Sequence, residues 1–370
     1  MKILIVGCGL YGATTARLLA DIGHQVLVID KRKHIGGNCY TEKIHDIHVH
    51  KYGPHAFHTN SKNIWDFVNR FSAFNNFKLK VLVSKENKIY SFPINLMTLN
   101  QVCGINNYKD AKLFLDSCKS KTKPSGNFKD FVISSVGEML YKIFYEGYTI
   151  KQWNKDPEIL PASIAKRIPV RLNFYDYYFE DKYQGVPVNG YTAMFENMLD
   201  HNNIKCELNV DFFANRKQFE KDFDFIFYSG KLDEFFEYRH GLLEYRSLRF
   251  EEKFFNETLQ GNVQINYADV DIPYTRIVEH KYFYEKQVDH SVVTYEYPDN
   301  YDFGKIPYYP VESDGNKKIY ESYSELSRNE KKYMFGGRLG RYTYLNMDQV
   351  IGMAFKDLEK LICQKKIKMA

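Results

Sequence analysis

The chain has 370 residues, 44% hydrophobic and 26% charged, which suffices for one large α/β domain or two to three smaller units without a disulfide or metal to hold the core. Its formal charge of +5 comes from scattered basic residues, the densest run being the short Lys119 to Lys123, so a nucleic-acid stripe is excluded and a phosphate-bearing small substrate is not. Six cysteines without a CxxC pair read as reduced thiols of a cytoplasmic protein, and no apolar run reaches transmembrane length.

Lys2 to Val6 reads as a buried parallel strand that meets Gly7 after too few apolar residues for a signal peptide. Gly12 to Ile22 places Ala13, Ala16, Leu19 and Ala20 at helical spacing, Gly23 ends the helix, and Gln25 to Asp30 is a second apolar strand. Together they form one βαβ unit. Further on, Asn63 to Phe71 predicts a helix, Phe77 to Phe92 a hairpin around Glu86-Asn87, and Leu99 to Ile150 several helices broken at Pro124-Ser125-Gly126. Short antiparallel-looking strands follow at Tyr245 to Phe250, Gly261 to Tyr267, Tyr274 to Phe283 and Ser291 to Tyr297. Asp224 to Tyr228 is a buried strand, Met334-Phe335 ends another, and Asp348 to Leu361 is an amphipathic helix.

The expected architecture is therefore α/β: a nucleotide-binding sheet assembled from both ends of the chain (an FAD-binding Rossmann-like sheet, by its glycine motifs), an inserted helical domain and a second, antiparallel sheet domain. The first would take residues 1–75, about 205–240 and 330–370. The helical insert would take about 95–165, and the antiparallel domain about 76–94, 166–204 and 241–329.

The chemistry begins at Gly7-Cys8-Gly9-Leu10-Tyr11-Gly12. Gly7 permits the tight turn out of the strand, Gly9 lets a pyrophosphate approach the backbone, and Gly12 lets the helix pack close. The helix N-terminus offers N–H groups to phosphates, and Asp30 ends the next strand where an acid binds a ribose hydroxyl. Asp30 and Lys31 then run on to the pair Gly36-Gly37 and Asn38, which resembles the acid-plus-Gly-Gly signature of the FAD-binding Rossmann proteins. The Gly336-Gly337-Arg338 turn fits the late turn that closes over a flavin in that family.

The segments Lys51 to Thr59, Gly147 to Trp153, Leu160 to Ser163, Lys166 to Arg171, Pro273 to Arg276, Pro307 to Pro310 and Gly337 to Gly340 resemble those of UDP-galactopyranose mutases, in the same order and over nearly the whole chain. The resemblance implies an isomerase that interconverts UDP-galactopyranose and UDP-galactofuranose. Its FAD must be reduced, a covalent flavin–sugar adduct forms and resolves, and no net electron transfer occurs.

The same resemblance assigns residues. Arg167 and Arg276 are the diphosphate clamp, for which a guanidinium fork suits better than an ammonium. Both are expected to be dispensable for folding, since neither lies in the cofactor motifs. Tyr178, Tyr309 and Tyr344 match phosphate-binding tyrosines. Phe144, Tyr148, Gln152, Trp153 and Asn266 match the uridine side, Tyr148 stacking on the base. Asn154 to Tyr178 would form a mobile lid carrying Arg167. His58 lines the sugar and flavin side, and a histidine there, rather than an arginine, points to galactose over its N-acetylated counterpart. Cofactor contacts are Gly7, Gly9, Gly12, Asp30, Lys31, Gly37, Asn38, His55, Gly337, Arg338, Asn346 and Met347. Asn346 departs from the family, where an aspartate is usual.

His55 and His58 lack a third ligand, so no metal is expected. UDP-galactose is the expected partner, with no nucleic acid and no membrane, and with a homodimer left open. A mutase for UDP-N-acetylgalactosamine, an amine-oxidase-type flavin oxidase and, on the strength of Asn346 alone, a non-catalytic nucleotide-sugar sensor are the alternatives on the same fold.

Overall fold

The computed structural model describes residues 1–118, 126–166, 168–284, 287–364 and 366–367. The chain divides into two compact units, Met1–Asn76 with Asp181–Tyr245 and Pro307–Ala370, and Phe77–Glu180 with Arg246–Ile306.

The first unit is built on a five-stranded sheet in the order Tyr333–Phe335, Phe225–Tyr228, Lys2–Val6, Gln25–Asp30, Ile204–Leu208. Every pairing in it is parallel. Ile3, Leu4 and Ile5 are fully buried, as both faces of a parallel sheet must be when helices cover them. The helix Leu10–Asp21 buries Ala13, Ala16 and Leu19 completely, and these small side chains allow its close approach. Met347–Cys363 contributes Ile351 and Ala354 to the same core. The structure adds a helix at Gly190–Leu199, whose Tyr191, Phe195 and Met198 are buried in that core, and a long helix at Asp314–Asn329.

Among the described residues, the second unit holds six strands in the order Tyr245–Phe255, Ser291–Asn300, Arg276–Glu279, Gln264–Tyr267, Val81–Lys85, Lys88–Phe92. The hairpin turns at Glu86-Asn87, both with positive φ (51° and 61°), the conformation of a tight two-residue connection. The expected strands at 261–267 and 274–283 are shorter than their apolar pattern, because Gly261 adopts a left-handed turn and residues 280–283 wind into a 3-10 turn. One junction, Gln264–Tyr267 on Val81–Lys85, is parallel, so the sheet is not wholly antiparallel. The chain between those two strands runs through the hairpin's second strand, a long helical connection and then residues 181–245 of the first unit, so a parallel pairing is reachable, which a two-residue turn could not give.

The helical connection contains Leu96–Cys103, Tyr108–Cys118, Phe128–Val136, Glu138–Tyr141 and Gly147–Trp153, with a π turn at Lys142–Glu146. Asn95 and Asn127 cap the first and third of these with side-chain oxygens. The expected break at Pro124-Ser125 lies outside the described residues.

Candidate active site

In the first unit, glycine turns from distant parts of the chain converge beyond the carboxyl ends of the parallel strands. Gly7 leaves its strand at φ +102°, and a Cβ there would fall 2.2 Å from Ser229 Oγ. A Cβ on Gly12 would lie 1.9 Å from the Gly7 carbonyl oxygen, which shows how closely the helix starts against the turn. A Cβ on Gly37 would meet Gly9 Cα at 2.9 Å, and the Gly36 N–H donates to the Cys8 carbonyl at 2.9 Å. The late turn joins them, since a Cβ on Gly336 would overlap Tyr11 Cζ at 1.9 Å.

This is the crevice where open α/β sheets bind ligands. No side chain caps the helix Leu10–Asp21 at Gly9, and its first turn carries no acid, the arrangement that suits an anion at a helix start. Asp30 is held rigidly, its two oxygens accepting from the Cys8 N–H at 2.7 Å and the Arg32 N–H at 2.8 Å. The cradle fits a dinucleotide: closely packed glycine turns present bare backbone beside an uncapped helix start. Lys31 is exposed, and Asn38 is half-buried in the 3-10 turn Gly37–Cys39.

Around this cradle, Tyr11 donates to Asp357 at 2.7 Å, and Arg341 reaches the other Asp357 oxygen at 3.1 Å. Burial pushes the Asp357 carboxyl up, against the pull of Arg341 and Tyr11. Arg338 donates to the Leu345 carbonyl at 2.7 Å, and its guanidinium lies 4.8 Å from the Tyr344 ring centre. Tyr309 and Tyr344 sit 5.8 Å apart, so these three expected site residues form one cluster.

Asn346 is the N-cap of the helix Met347–Cys363, and its N–H donates to Gln349 Oε1 at 2.8 Å. Asparagine and aspartate cap equally well, so the departure from the family keeps the backbone geometry and removes only a charge. Met347 is buried, its sulfur accepting from Cys39 at 3.8 Å.

His55 and His58 part company. The His55 ring lies 2.8 Å from the Gly53 carbonyl oxygen and edge-on to Tyr191. His58, on the strand Phe57–Thr59, places Nδ1 2.7 Å from Asp181. Among the described residues, no group of three or more His, Cys, Asp or Glu is arranged to hold a metal.

In the second unit, Asn266, Arg276 and Glu296 stand directly opposite one another on three adjacent strands, and therefore on one face of the sheet. Arg276 binds Glu296 Oε2 through Nε at 2.8 Å and through a terminal nitrogen at 2.7 Å. Glu296 is 1% exposed, burial raises its carboxyl above the usual range against the pull of Arg276, and its Oε1 has no hydrogen-bond partner. Asn266 accepts from Gln264 Nε2 at 2.9 Å.

The helix Gly147–Trp153 holds Tyr148 and Trp153 half-buried and Gln152 buried, with Gln152 Oε1 lacking any protein partner. Phe144 is 3% exposed and packs on Tyr90 and Phe92, so it backs the hairpin as core and leaves the more open ring to Tyr148. Arg167 lies outside the described residues. Downstream of it, buried Arg171 donates to Glu180 at 2.5 Å and to the Tyr177 and Tyr178 carbonyls at 2.7 and 3.2 Å. Tyr178 also donates its N–H to Leu79 at 2.7 Å, so the carboxyl-terminal part of the expected lid is tied down.

Three more residues of this unit were not singled out from sequence. Lys151 donates to the Tyr267, Ile272 and Tyr274 carbonyls at 2.8, 3.0 and 2.9 Å, fastening the loop between Asn266 and Arg276 to the helix of Tyr148 and Gln152. Burial brings its ammonium down to about 8. Arg246 is 5% exposed, donates to the Gln152 carbonyl at 3.1 Å and pairs with Asn300. Glu296 is the third. Only Lys151 had a signal, since it lies inside a motif.

Fold and cradle define a dinucleotide-binding Rossmann protein, and residues 5–71 match the NAD(P)-binding Rossmann-like domain. The UDP-galactopyranose mutase family model matches residues 143–344. The chain is 41% identical to a dTDP-fucopyranose mutase of Escherichia coli over 96% of its length and 97% of that protein's. It is also 41% identical to a "Probable UDP-galactopyranose mutase" of Klebsiella pneumoniae, over 98% of this chain and 94% of that one. A crystal structure of reduced UDP-galactopyranose mutase superposes with a TM-score of 0.75 at 14% identity, covering 98% of this chain and 96% of that one, which shows the fold. The chain belongs to the UDP-galactopyranose mutase family, a family of isomerases.

Proposed function

We propose that the protein interconverts UDP-galactopyranose and UDP-galactofuranose, with FAD in its reduced form and no net redox change. The observation that carries this reading is the meeting of Gly9 and Gly37, with Gly336 packed on Tyr11 of the same glycine turn and helix start, in a chain of this family. A reduced flavin, when bound, supplies the nucleophile for the anomeric carbon as UDP departs and returns.

The chain's own residues bind, orient and hold charge. Gly7, Gly9, Gly12 and Gly37 receive the cofactor's pyrophosphate on backbone N–H groups, Asp30 takes a ribose hydroxyl, and Arg338 with Asn346 and Met347 lines the late turn. In the second unit, Tyr148 offers a ring to the base, and the orphan Gln152 oxygen accepts from an imide N–H such as uracil's. Arg276 and Arg167 hold the diphosphate through departure and return, assisted by Tyr178.

A second reading has equal support from identity. The Escherichia coli relative is named for dTDP-fucopyranose, and thymine presents the same imide edge to Gln152 as uracil does. The test incubates the protein with UDP-galactofuranose, UDP-N-acetylgalactosaminofuranose and dTDP-fucofuranose in parallel, with and without dithionite, and resolves pyranose products by chromatography. Conversion of UDP-galactofuranose after reduction is expected. Conversion of the dTDP sugar alone would transfer the assignment, and stoichiometric consumption of reductant would overturn it.

A further inference from the structure

The strand Phe57–Thr59 pairs antiparallel with Tyr183–Gly185, placing His58 opposite Gln184. Just beyond the ends of both strands, His58 meets a polar cluster of Asp181, Asn60 and Gln184 to which the assigned chemistry gives no part. Asp181 is its centre: Oδ2 is 2.7 Å from His58 Nδ1, and Oδ1 accepts from Asn60 Nδ2 at 2.6 Å. Asn60 is itself fixed, because its own oxygen accepts the Lys182 N–H at 2.9 Å. The Asp181 carbonyl accepts from Gln184 Nε2 at 2.8 Å, which holds the backbone behind the carboxylate. His58 is 8% exposed, so this contact is made largely away from water.

An ionised carboxylate only accepts hydrogen bonds. A ring nitrogen 2.7 Å from it therefore carries a proton, and the neutral ring has its lone pair on Nε2. We infer that Asp181 is a positioning residue that sets the tautomer of His58, so that Nε2 accepts a hydrogen bond from a hydroxyl of the bound sugar. The inference rests on the proposed reading, and on the family resemblance that puts His58 on the sugar side, only in placing that ring beside the sugar. The tautomer follows from the cluster alone.

The geometry also predicts what the isosteric change does. In Asp181→Asn, Asn60 Nδ2 still needs an acceptor and takes the amide oxygen. The new NH2 then faces His58 Nδ1, which must become an acceptor, and the proton moves to Nε2. Asp181→Ala removes the constraint without imposing the wrong tautomer. A merely structural aspartate would make the alanine variant the worse of the two, and the tautomer role reverses that order.

The experiment labels the histidines with 15N in the FAD-loaded protein, assigns His58 by comparison with His58→Gln, and reads its tautomer by NMR from the Nδ1 and Nε2 shifts. The Nδ1–H form is expected in the wild type and the Nε2–H form in Asp181→Asn. Turnover should fall about tenfold in Asp181→Asn through kcat, the scale of one lost hydrogen bond, with KM little changed and Asp181→Ala falling less. An Nε2–H ring in the wild type, an unchanged tautomer in Asp181→Asn, or a lower kcat in Asp181→Ala than in Asp181→Asn would overturn the inference. A wild type without turnover on any of the three nucleotide sugars would sink the functional reading, while the NMR result still decides the role of Asp181.

Discussion

Arg276 and Glu296 face each other across two neighbouring strands, both guanidinium contacts falling within 2.8 Å of one carboxylate oxygen, and that carboxylate is 1% exposed. An arginine expected from sequence to serve only a diphosphate is thus also the partner of a buried acid. Arg276→Ala is predicted to weaken UDP binding about ten- to hundredfold, the worth of a charge-assisted hydrogen bond. It should also destabilise the fold by about 3 kcal/mol, because Glu296 is left buried without its cation. The expectation that this arginine is dispensable for folding is corrected accordingly. Urea unfolding and UDP titration on Arg276→Ala and the double variant Arg276→Ala/Glu296→Gln separate the two effects. Restored stability without restored binding is the expected result for the double variant, and equal instability in both would show that Glu296 is not the cause.

The same acid has a pH signature. Burial raises the Glu296 carboxyl above its unfolded value, so between the two values the folded chain holds a proton that the unfolded chain has released. Stability from this group is therefore present below the unfolded pKa, about 4.3, and lost as pH rises through the folded one. The difference in unfolding midpoint between Glu296→Gln and the wild type should grow in favour of the variant across that window. A difference independent of pH would contradict the assignment.

The glycine crevice predicts cofactor loss. Gly37→Ala adds a Cβ 2.9 Å from Gly9 Cα at a residue with φ +56°, so contact and backbone both resist it. Gly336→Ala drives a methyl into the Tyr11 ring, which Asp357 holds by its hydroxyl. Both proteins should purify with much less flavin than the wild type, as read from the absorbance of the denatured supernatant. Full flavin content in both would disprove the cradle.

Lys151 predicts a loss of organisation rather than of charge. Replacing it with Met leaves the Tyr267, Ile272 and Tyr274 carbonyls without their shared donor and frees the loop between Asn266 and Arg276. UDP affinity should fall about tenfold, the order of one hydrogen bond to a charged group. Lys151→Arg should rescue poorly, since a planar fork does not reproduce three donors radiating from one atom. Hydrogen exchange of residues 267–275 should quicken in the Met variant, and unchanged exchange would refute the staple.

How much of this was legible beforehand follows from the range of each constraint. Gly7, Gly9 and Gly12, the acid Asp30, the Gly36-Gly37 pair and the turn at Glu86-Asn87 were readable because each answers a local demand: a positive φ, a close backbone approach or an alternating apolar strand. The order of the motifs was enough to indicate the family. The strand Ile204–Leu208 was not recognised, since an edge position leaves its side chains half-exposed and the alternation weak. Nor could any local rule pair Arg276 with Glu296, His58 with Asp181 or Lys151 with three carbonyls of a later loop. Those partners are chosen by strand register and by which helix lies over which loop. Residue types set what each side chain is able to do, and the tertiary structure decided which neighbour it does it with, because a hydrogen bond or ion pair depends on distances of a few ångströms that only the folded chain defines.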